Sequence, residues 1–296
     1  MSLIKLLETY IEQNELQSLD GIHQTQIPGV LIYRSPYGSD RQPLVYQSGI
    51  LILAQGYKNI YLDQQSVTYG ANDYLVVGVP LPLECESFVE EGKPLLGISI
   101  RIPPGVLQKV VQKIEASGYS RKPGTCELGC GLRSVSMGKD IQDASIRLTA
   151  SLCHDLEAKV LGESLLEELI FRVLMSKEGH VLFDLAHQEG HYARVAGILN
   201  RVHQDYSQNL TINDLAKDAN MSISAFHQAF RHVTMESPLQ YIKKVRLNKA
   251  KELIQLEGRK VNEAARMVGY TSPSQFHREY KRLFKETPGD RKQSAY

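Results

Sequence analysis

A seventeen-residue pattern occurs twice near the end of this 296-residue chain, offset by fifty positions, and so marks one structural unit used two times. Residues 222–238 read SISAFHQAFRHVTMESP and residues 272–288 read SPSQFHREYKRLFKETP. Ser222, Ser224, Phe226, His227, Glu236 and Pro238 meet identical residues, and Phe230, Arg231, Val233 and Ser237 meet Tyr280, Lys281, Leu283 and Thr287. Each copy carries helix-start chemistry, because the unpaired N–H groups of a first turn need side-chain acceptors and proline is tolerated there. Ser272, Pro273 and Gln275 form a capping-box pattern, repeated by Ser237, Pro238 and Gln240 and varied in Thr287, Pro288 and Asp290. Upstream, Thr211 with Asp214 opens another helix, whose Ile212, Leu215, Ala216 and Ala219 share one face; Val261, Ala264, Ala265 and Val268 do the same in the second copy. Asn220 with Met221, and Gly269 with Tyr270 and Thr271, turn the chain between helices. Two short helices joined this way predict a helix-turn-helix whose second helix enters the major groove of DNA.

Between the copies, residues 238–256 carry an apolar stripe of Leu239, Ile242, Val245, Ala250, Leu253 and Ile254 with lysines and an arginine around it. Such a rod, about 28 Å long at ~1.5 Å per residue, suits two reading helices set about one DNA turn apart. The stretch GYTSPSQFHREYKRLFKETP resembles the signature of the AraC/XylS transcription regulators, and the resemblance covers residues 191–296. Lys285 departs from it, standing where that family carries glycine, which bears on the local turn.

The formal charge of +1 conceals a division that fits this reading. Residues 191–296 hold 18 Lys+Arg against 10 Asp+Glu, whereas residues 1–190 hold 16 against 23. A basic segment suits a polyanion and an acidic companion stays off it. Cys85, Cys126, Cys130 and Cys153 are too few and too irregular for a secreted disulfide scaffold. The first ten residues read as an amphipathic helix and not a signal peptide, and no apolar run approaches a membrane span, so a cytoplasmic protein without a membrane partner is expected.

From residue 21 to about 101 the pattern changes to short β-type runs at 30–33, 44–46, 49–54, 59–62, 66–69, 74–77, 84–89 and 96–102, broken by turn residues. Eight short strands predict a sandwich or small barrel, and the resemblance implies a cupin-like jelly roll. Val106, Leu107, Val110, Val111 and Ile114 then define a helix ended by Gly118. Two helices are expected at 139–161 and 163–176, separated by Gly162, with Leu165, Leu166, Leu169, Ile170, Val173 and Leu174 on one face. That face can pack on the barrel or join a homodimer, and the resemblance implies dimerisation through helices in this position. The expected fold is α+β: a cupin-like β-sandwich or barrel with following helices over residues 1–180, a linker at 181–190, and an all-α double helix-turn-helix domain at 191–296.

Exposed polar residues in the first turns of the reading helices are the base-reading candidates: Ser224, His227 and Gln228, then Ser274, Gln275, His277 and Arg278. All but His277 also match positions at which the resembled family meets bases or adjacent phosphates. Arg278 is the foremost, since a guanidinium can make two parallel hydrogen bonds to guanine O6 and N7. Lys243, Lys244, Arg246, Lys281 and Arg282 are candidates for phosphates. In the strand region Tyr33, Tyr46, Tyr61 and Tyr74 could wall a pocket for an unknown small-molecule effector. Cys126 and Cys130, beside Arg121, Lys122 and Arg133, could sense oxidants. A cupin-type metalloenzyme needs clustered ligands, and His23 is the one histidine in the strands, so neither metal nor cofactor is expected. The sequence therefore describes a regulator binding double-stranded DNA and acting on RNA polymerase. The alternative is a DNA-binding protein whose first domain only assembles.

Overall fold

The computed structural model describes residues 1–62, 65–119, 132–176, 179–186 and 191–290. Among the described residues, ten strands form two antiparallel sheets. Six belong to the larger one, in the order β1 (Gly21–Gln24), β2 (Val30–Ser35), β9 (Leu95–Ile100), β4 (Gly49–Gln55), β7 (Asp73–Val77) and β10 (Leu132–Ser136). The smaller sheet orders β3 (Ser39–Tyr46), β8 (Leu81–Phe88), β5 (Tyr57–Leu62) and β6 (Gln65–Gly70).

Strand residues alternate between two apolar environments, which explains why the larger sheet reads as continuous hydrophobic runs. Ile32, Ile50, Ile52, Tyr74 and Val76 pack on helices α1 (Leu3–Gln13), α2 (Pro104–Ala116), α3 (Lys139–Leu152), α4 (Asp155–Met175) and α5 (His180–Ala186). Leu53, Leu75, Val77 and Leu95 point the other way, onto Tyr46, Ile60, Leu62, Tyr69, Leu81 and Leu83 of the smaller sheet. A one-residue slip would exchange the two faces, so the register is strongly specified.

Gly162 does not separate two helices, as the sequence suggested. The break falls at Cys153 and His154, and α4 runs through the glycine. A Cβ at Gly162 would lie 2.7 Å from Ile27, so the position is small to let the helix pack on the turn between β1 and β2. The expected apolar face of α4 is spent inward, with Leu166, Leu169, Ile170, Val173 and Leu174 in the core. A second stripe of Leu156, Val160, Phe171 and Met175 stays exposed.

The remaining helices are α6 (His191–Gln204), α7 (Ile212–Asp218), α8 (Ile223–Thr234), the rod α9 (Pro238–Gln255), α10 (Val261–Met267) and α11 (Pro273–Phe284). Leu239, expected in the rod's apolar stripe, is exposed, and Tyr241 and Leu247 take part in its place. Helices α8 and α11 both end on a left-handed residue, Met235 and Lys285, each with φ 60°. For an L-residue with a Cβ this conformation costs about 1 kcal/mol or more relative to glycine. Lys285→Gly is therefore expected to stabilise the protein by about 1 kcal/mol and raise Tm by roughly 2–4 °C. A lowered Tm would mean that the extra freedom of glycine in the unfolded chain outweighs the relieved strain.

Candidate nucleic-acid interface and effector cavity

The two reading helices are built alike, as the repeated sequence requires. Ser222 Oγ accepts the Ala225 N–H at 3.2 Å, and Ser272 Oγ accepts the Gln275 N–H at 3.3 Å. Phe226, Phe230 and Val233 bury one face of α8, and Phe276, Tyr280 and Phe284 bury the matching face of α11. This rotation leaves Ser224 and Gln228 exposed and His227 half-buried on α8, with Ser274, Gln275, His277 and Arg278 exposed on α11. Each histidine ring meets the preceding phenylalanine edge-on, at 6.4 Å in the first copy and 6.0 Å in the second. The left-handed turn residues Asn220 and Gly269 lie 49 apart while the caps lie 50 apart, so the second turn holds one more residue.

The structure divides the phosphate candidates. Lys281 and Arg282 are exposed on α11. Lys243 instead donates to Glu279 at 2.8 Å, and Lys244 pairs with Glu236. Arg246, half-buried, donates through Nε to the Tyr206 carbonyl and through Nη2 to that of Gln208, both at 2.7 Å, and burial pushes its pKa down. These three cations brace the rod against its neighbours, since a partly buried charge is held where it finds partners. Glu279 gathers Lys243, the Tyr270 hydroxyl at 2.6 Å and the Gln275 amide at 3.3 Å. Burial alone would raise the Glu279 pKa, but these three donors outweigh it and hold it below the usual carboxylate range. Gln275 thus directs its side chain at Glu279 and not back to the helix start.

The four tyrosines expected around a pocket do not converge. Tyr33 and Tyr46 face a cavity of about 120 Å³ between the sheets, bounded also by Leu44, Leu51, Leu53 and Tyr69. Tyr61 lies outside it, under the Arg41 guanidinium at 3.9 Å, with its hydroxyl donating to Glu86 at 2.8 Å. Tyr74 points to the helical side and donates to Ser176 at 2.9 Å. Lys58, which the sequence reading missed, lies in the cavity wall with 5% exposure, and its ammonium sits 3.9 Å from the Tyr33 ring centre. Its signal was present: Lys58, Ile60 and Leu62 share the inward phase of β5, and a lysine in that phase is a buried charge. Cys126 and Cys130 lie outside the described residues, and Cys85 is buried. Among the described residues no group of three or more His, Cys, Asp or Glu could hold a metal ion, and no helix is long and apolar enough to cross a membrane.

The reading unit also touches the sheets. Tyr241 on α9 donates its hydroxyl proton to the Pro80 carbonyl at 2.6 Å, and His203 Nε2 on α6 lies 2.8 Å from the Tyr241 hydroxyl oxygen.

The model described as the AraC-type transcriptional regulator N-terminus matches residues 26–181, over half of the chain, and a helix-turn-helix domain model matches residues 215–294. The RCS-specific transcriptional activator RclR of Escherichia coli is 33% identical over 99 residues, which is 33% of this chain and 35% of RclR. The Msm operon regulatory protein of Streptococcus mutans is 29% identical over 36% of this chain and 40% of its own length. These alignments thus span well under two thirds of either relative. LumQ of Photobacterium leiognathi, a probable transcriptional regulator, is 28% identical over 76% of this chain and 91% of its own. Apo ToxT from Vibrio cholerae shares the fold, with TM-score 0.61 at 10% identity over 90% of this chain and 97% of ToxT. ToxT bound to an unsaturated fatty acid aligns with TM-score 0.58 at 11% identity, covering 90% and 95%.

Proposed function

The chain belongs to the AraC/XylS family of transcription regulators, and on that premise we propose that it binds specific sites on double-stranded DNA and adjusts transcription by RNA polymerase when a small molecule occupies its cavity. The observation that carries this reading is the pair of identically capped helices, α8 and α11, each turning a polar first turn outward from a basic segment. Ser224, His227, Gln228, Ser274, Gln275, His277 and Arg278 take the base-reading role, with Arg278 the principal contact. Lys281 and Arg282 take the phosphates, while Lys243, Lys244 and Arg246 hold the frame.

The effector half of the reading rests on the cavity between the sheets and on the kinship in fold with ToxT, which has been seen with a fatty acid bound. A homodimer through the 139–176 helices would use the outward stripe of α4, Leu156, Val160, Phe171 and Met175, since the inward face is occupied. Sedimentation of the full chain tests that part, and a monomer at tens of micromolar removes it. The protein works in the cytoplasm on this reading, as a regulator and not a catalyst.

Genomic-DNA binding by wild type and Arg278→Ala at one fixed salt concentration tests the central claim. The variant is expected to lose about 1–3 kcal/mol at its sites, roughly fivefold to 150-fold in affinity, with relaxed preference at one guanine. Lys281→Ala should instead weaken binding evenly across sequences and lower the salt slope by about one. Unselective binding that Arg278→Ala leaves unchanged would defeat the base-reading assignment.

A further inference from the structure

Alternation along β5 drives Lys58 into the space between the sheets, together with Ile60 and Leu62. A buried ammonium is costly unless paired, and its surroundings hold no acid. The cavity is walled by Tyr33, Tyr46, Tyr69 and aliphatic side chains, its other cation is Arg101, and no Asp or Glu lines it. None of the ion pairs among the described residues involves Lys58. Its neighbours are aromatic faces, Tyr33 at 3.9 Å and Tyr46 at 5.9 Å, and a hydroxyl and thiol cluster in which Tyr46 Oη lies 3.5 Å from Tyr69 Oη and 3.4 Å from Cys85 Sγ. Burial disfavours the lysine's charge, and the electron-rich face of the Tyr33 ring favours it. Burial pushes the Tyr69 phenol up to about 12, so it is a neutral hydrogen-bond donor at physiological pH. Lys58 thus places an ammonium without an acidic partner among hydroxyl donors and apolar walls.

We infer that this cavity is the binding site of a small organic monocarboxylate with a compact apolar or aromatic body, whose carboxylate pairs with Lys58. The inference rests on the effector half of the proposed function and names the class of effector. One buried cation matches one negative charge, and Arg101, the other cation of the wall, is exposed at the mouth. A sugar would leave the ammonium without a counter-charge and set its hydroxyls against Leu44, Leu51 and Leu53. Size narrows the class further: about 120 Å³ is less than the ~150 Å³ cavity that takes up one benzene molecule. The enclosed part therefore holds no more than about a single ring, and the far end of the ligand is directed to the mouth, where Ile22, Gln47 and Arg101 are exposed.

Thermal unfolding of the full-length protein tests this with acetate, butyrate and benzoate, each against its own amide. At least one acid, at a hundredfold excess over its Kd, is expected to raise Tm by roughly 5 °C or more, and its amide by less than a fifth of that. Lys58→Met should abolish the acid's effect while leaving the unliganded Tm equal or higher, because an uncompensated buried charge has been removed. Lys58→Gln provides a second uncharged variant, and the comparison of acid with amide in wild type stands even if neither variant folds. The inference is overturned if no acid shifts wild type, if an amide matches its acid, or if the uncharged variants respond as wild type does. An amide that binds without Lys58 would overturn the anion class and leave effector sensing intact, and DNA binding is judged separately through Arg278→Ala.

Discussion

Phe276→Ala is expected to unfold the second helix-turn-helix while the first one and both sheets stay folded. The two reading units look interchangeable in sequence, yet their cores are not. Eleven buried residues, from Leu247 on the rod to Phe284, make a cluster of their own around the second unit. Phe276 sits at its centre with no exposure, its ring 5.2 Å from that of Tyr270 and 5.6 Å from that of Tyr280. Emptying such a site costs about 3–5 kcal/mol, and so small a core has little with which to absorb the loss. The matching Phe226 belongs to a cluster that continues into Tyr46, Leu75 and Leu81 of the sheets. Phe226→Ala should accordingly lower the stability of the whole protein by a similar amount. Hydrogen exchange resolves the two cases: in Phe276→Ala, fast exchange should be confined to about residues 257–290, with specific DNA binding lost. Equal loss of protection across the strands would show that the second unit is not an independent cooperative element.

What the sequence discloses about this molecule follows the range of the forces involved. The reading helices were legible because their determinants are local: a serine cap, a proline, a 3.6-residue apolar period and a turn, each acting within a few residues. Ser222, Ser237 and Ser272 all accept the hydrogen bonds that their patterns require. The eight strand runs were legible too, but β1 and β10 escaped, since GIHQ and LRSVS are edge strands whose pairing with β2 and β7 no local pattern announces. Gly162 misled for the opposite reason, because a glycine inside a helix looks like a break unless Ile27 is known to press on it. The candidate site divides in the same way. Exposure of Ser274, His277 and Arg278 follows from the burial of Phe276 and Tyr280, one helix away from inspection. Which of Tyr33, Tyr46, Tyr61 and Tyr74 share a cavity depends on how two sheets close, and the engagement of Lys243, Lys244 and Arg246 depends on how the rod packs against its neighbouring helices and turns. Lys58 lies between these cases, detectable from its phase in β5 once that strand is known to begin at Tyr57 and not at Asn59.

The joint between sheets and reading unit should make the protein acid-sensitive well above the range in which its carboxylates titrate. Tyr241 has one hydroxyl proton, and the Pro80 carbonyl, which can only accept, takes it at 2.6 Å. The phenol oxygen must then accept from His203 Nε2–H at 2.8 Å, which fixes the imidazole as the neutral Nε2–H tautomer. Burial opposes a second proton and lowers the His203 pKa from 6.5 to about 4. The folded state therefore binds fewer protons than the unfolded one between these values, and stability rises with pH across that window. Its contribution is complete above pH 6.5 and is lost as pH falls toward 4. Between pH 7 and pH 5 the loss should be about 2 kcal/mol, a drop in Tm of roughly 4–8 °C. Glu279 and Glu167, held below the usual carboxylate range by their cationic partners, keep their charge over that interval and add little to the slope. His203→Gln retains an N–H donor for Tyr241 and has nothing to titrate, so its Tm should be nearly level from pH 7 to pH 5. An equal slope in wild type and variant would assign the acid sensitivity elsewhere. A level slope in the variant alone would mean that one buried imidazole makes the seating of the reading helices against the sheets depend on pH.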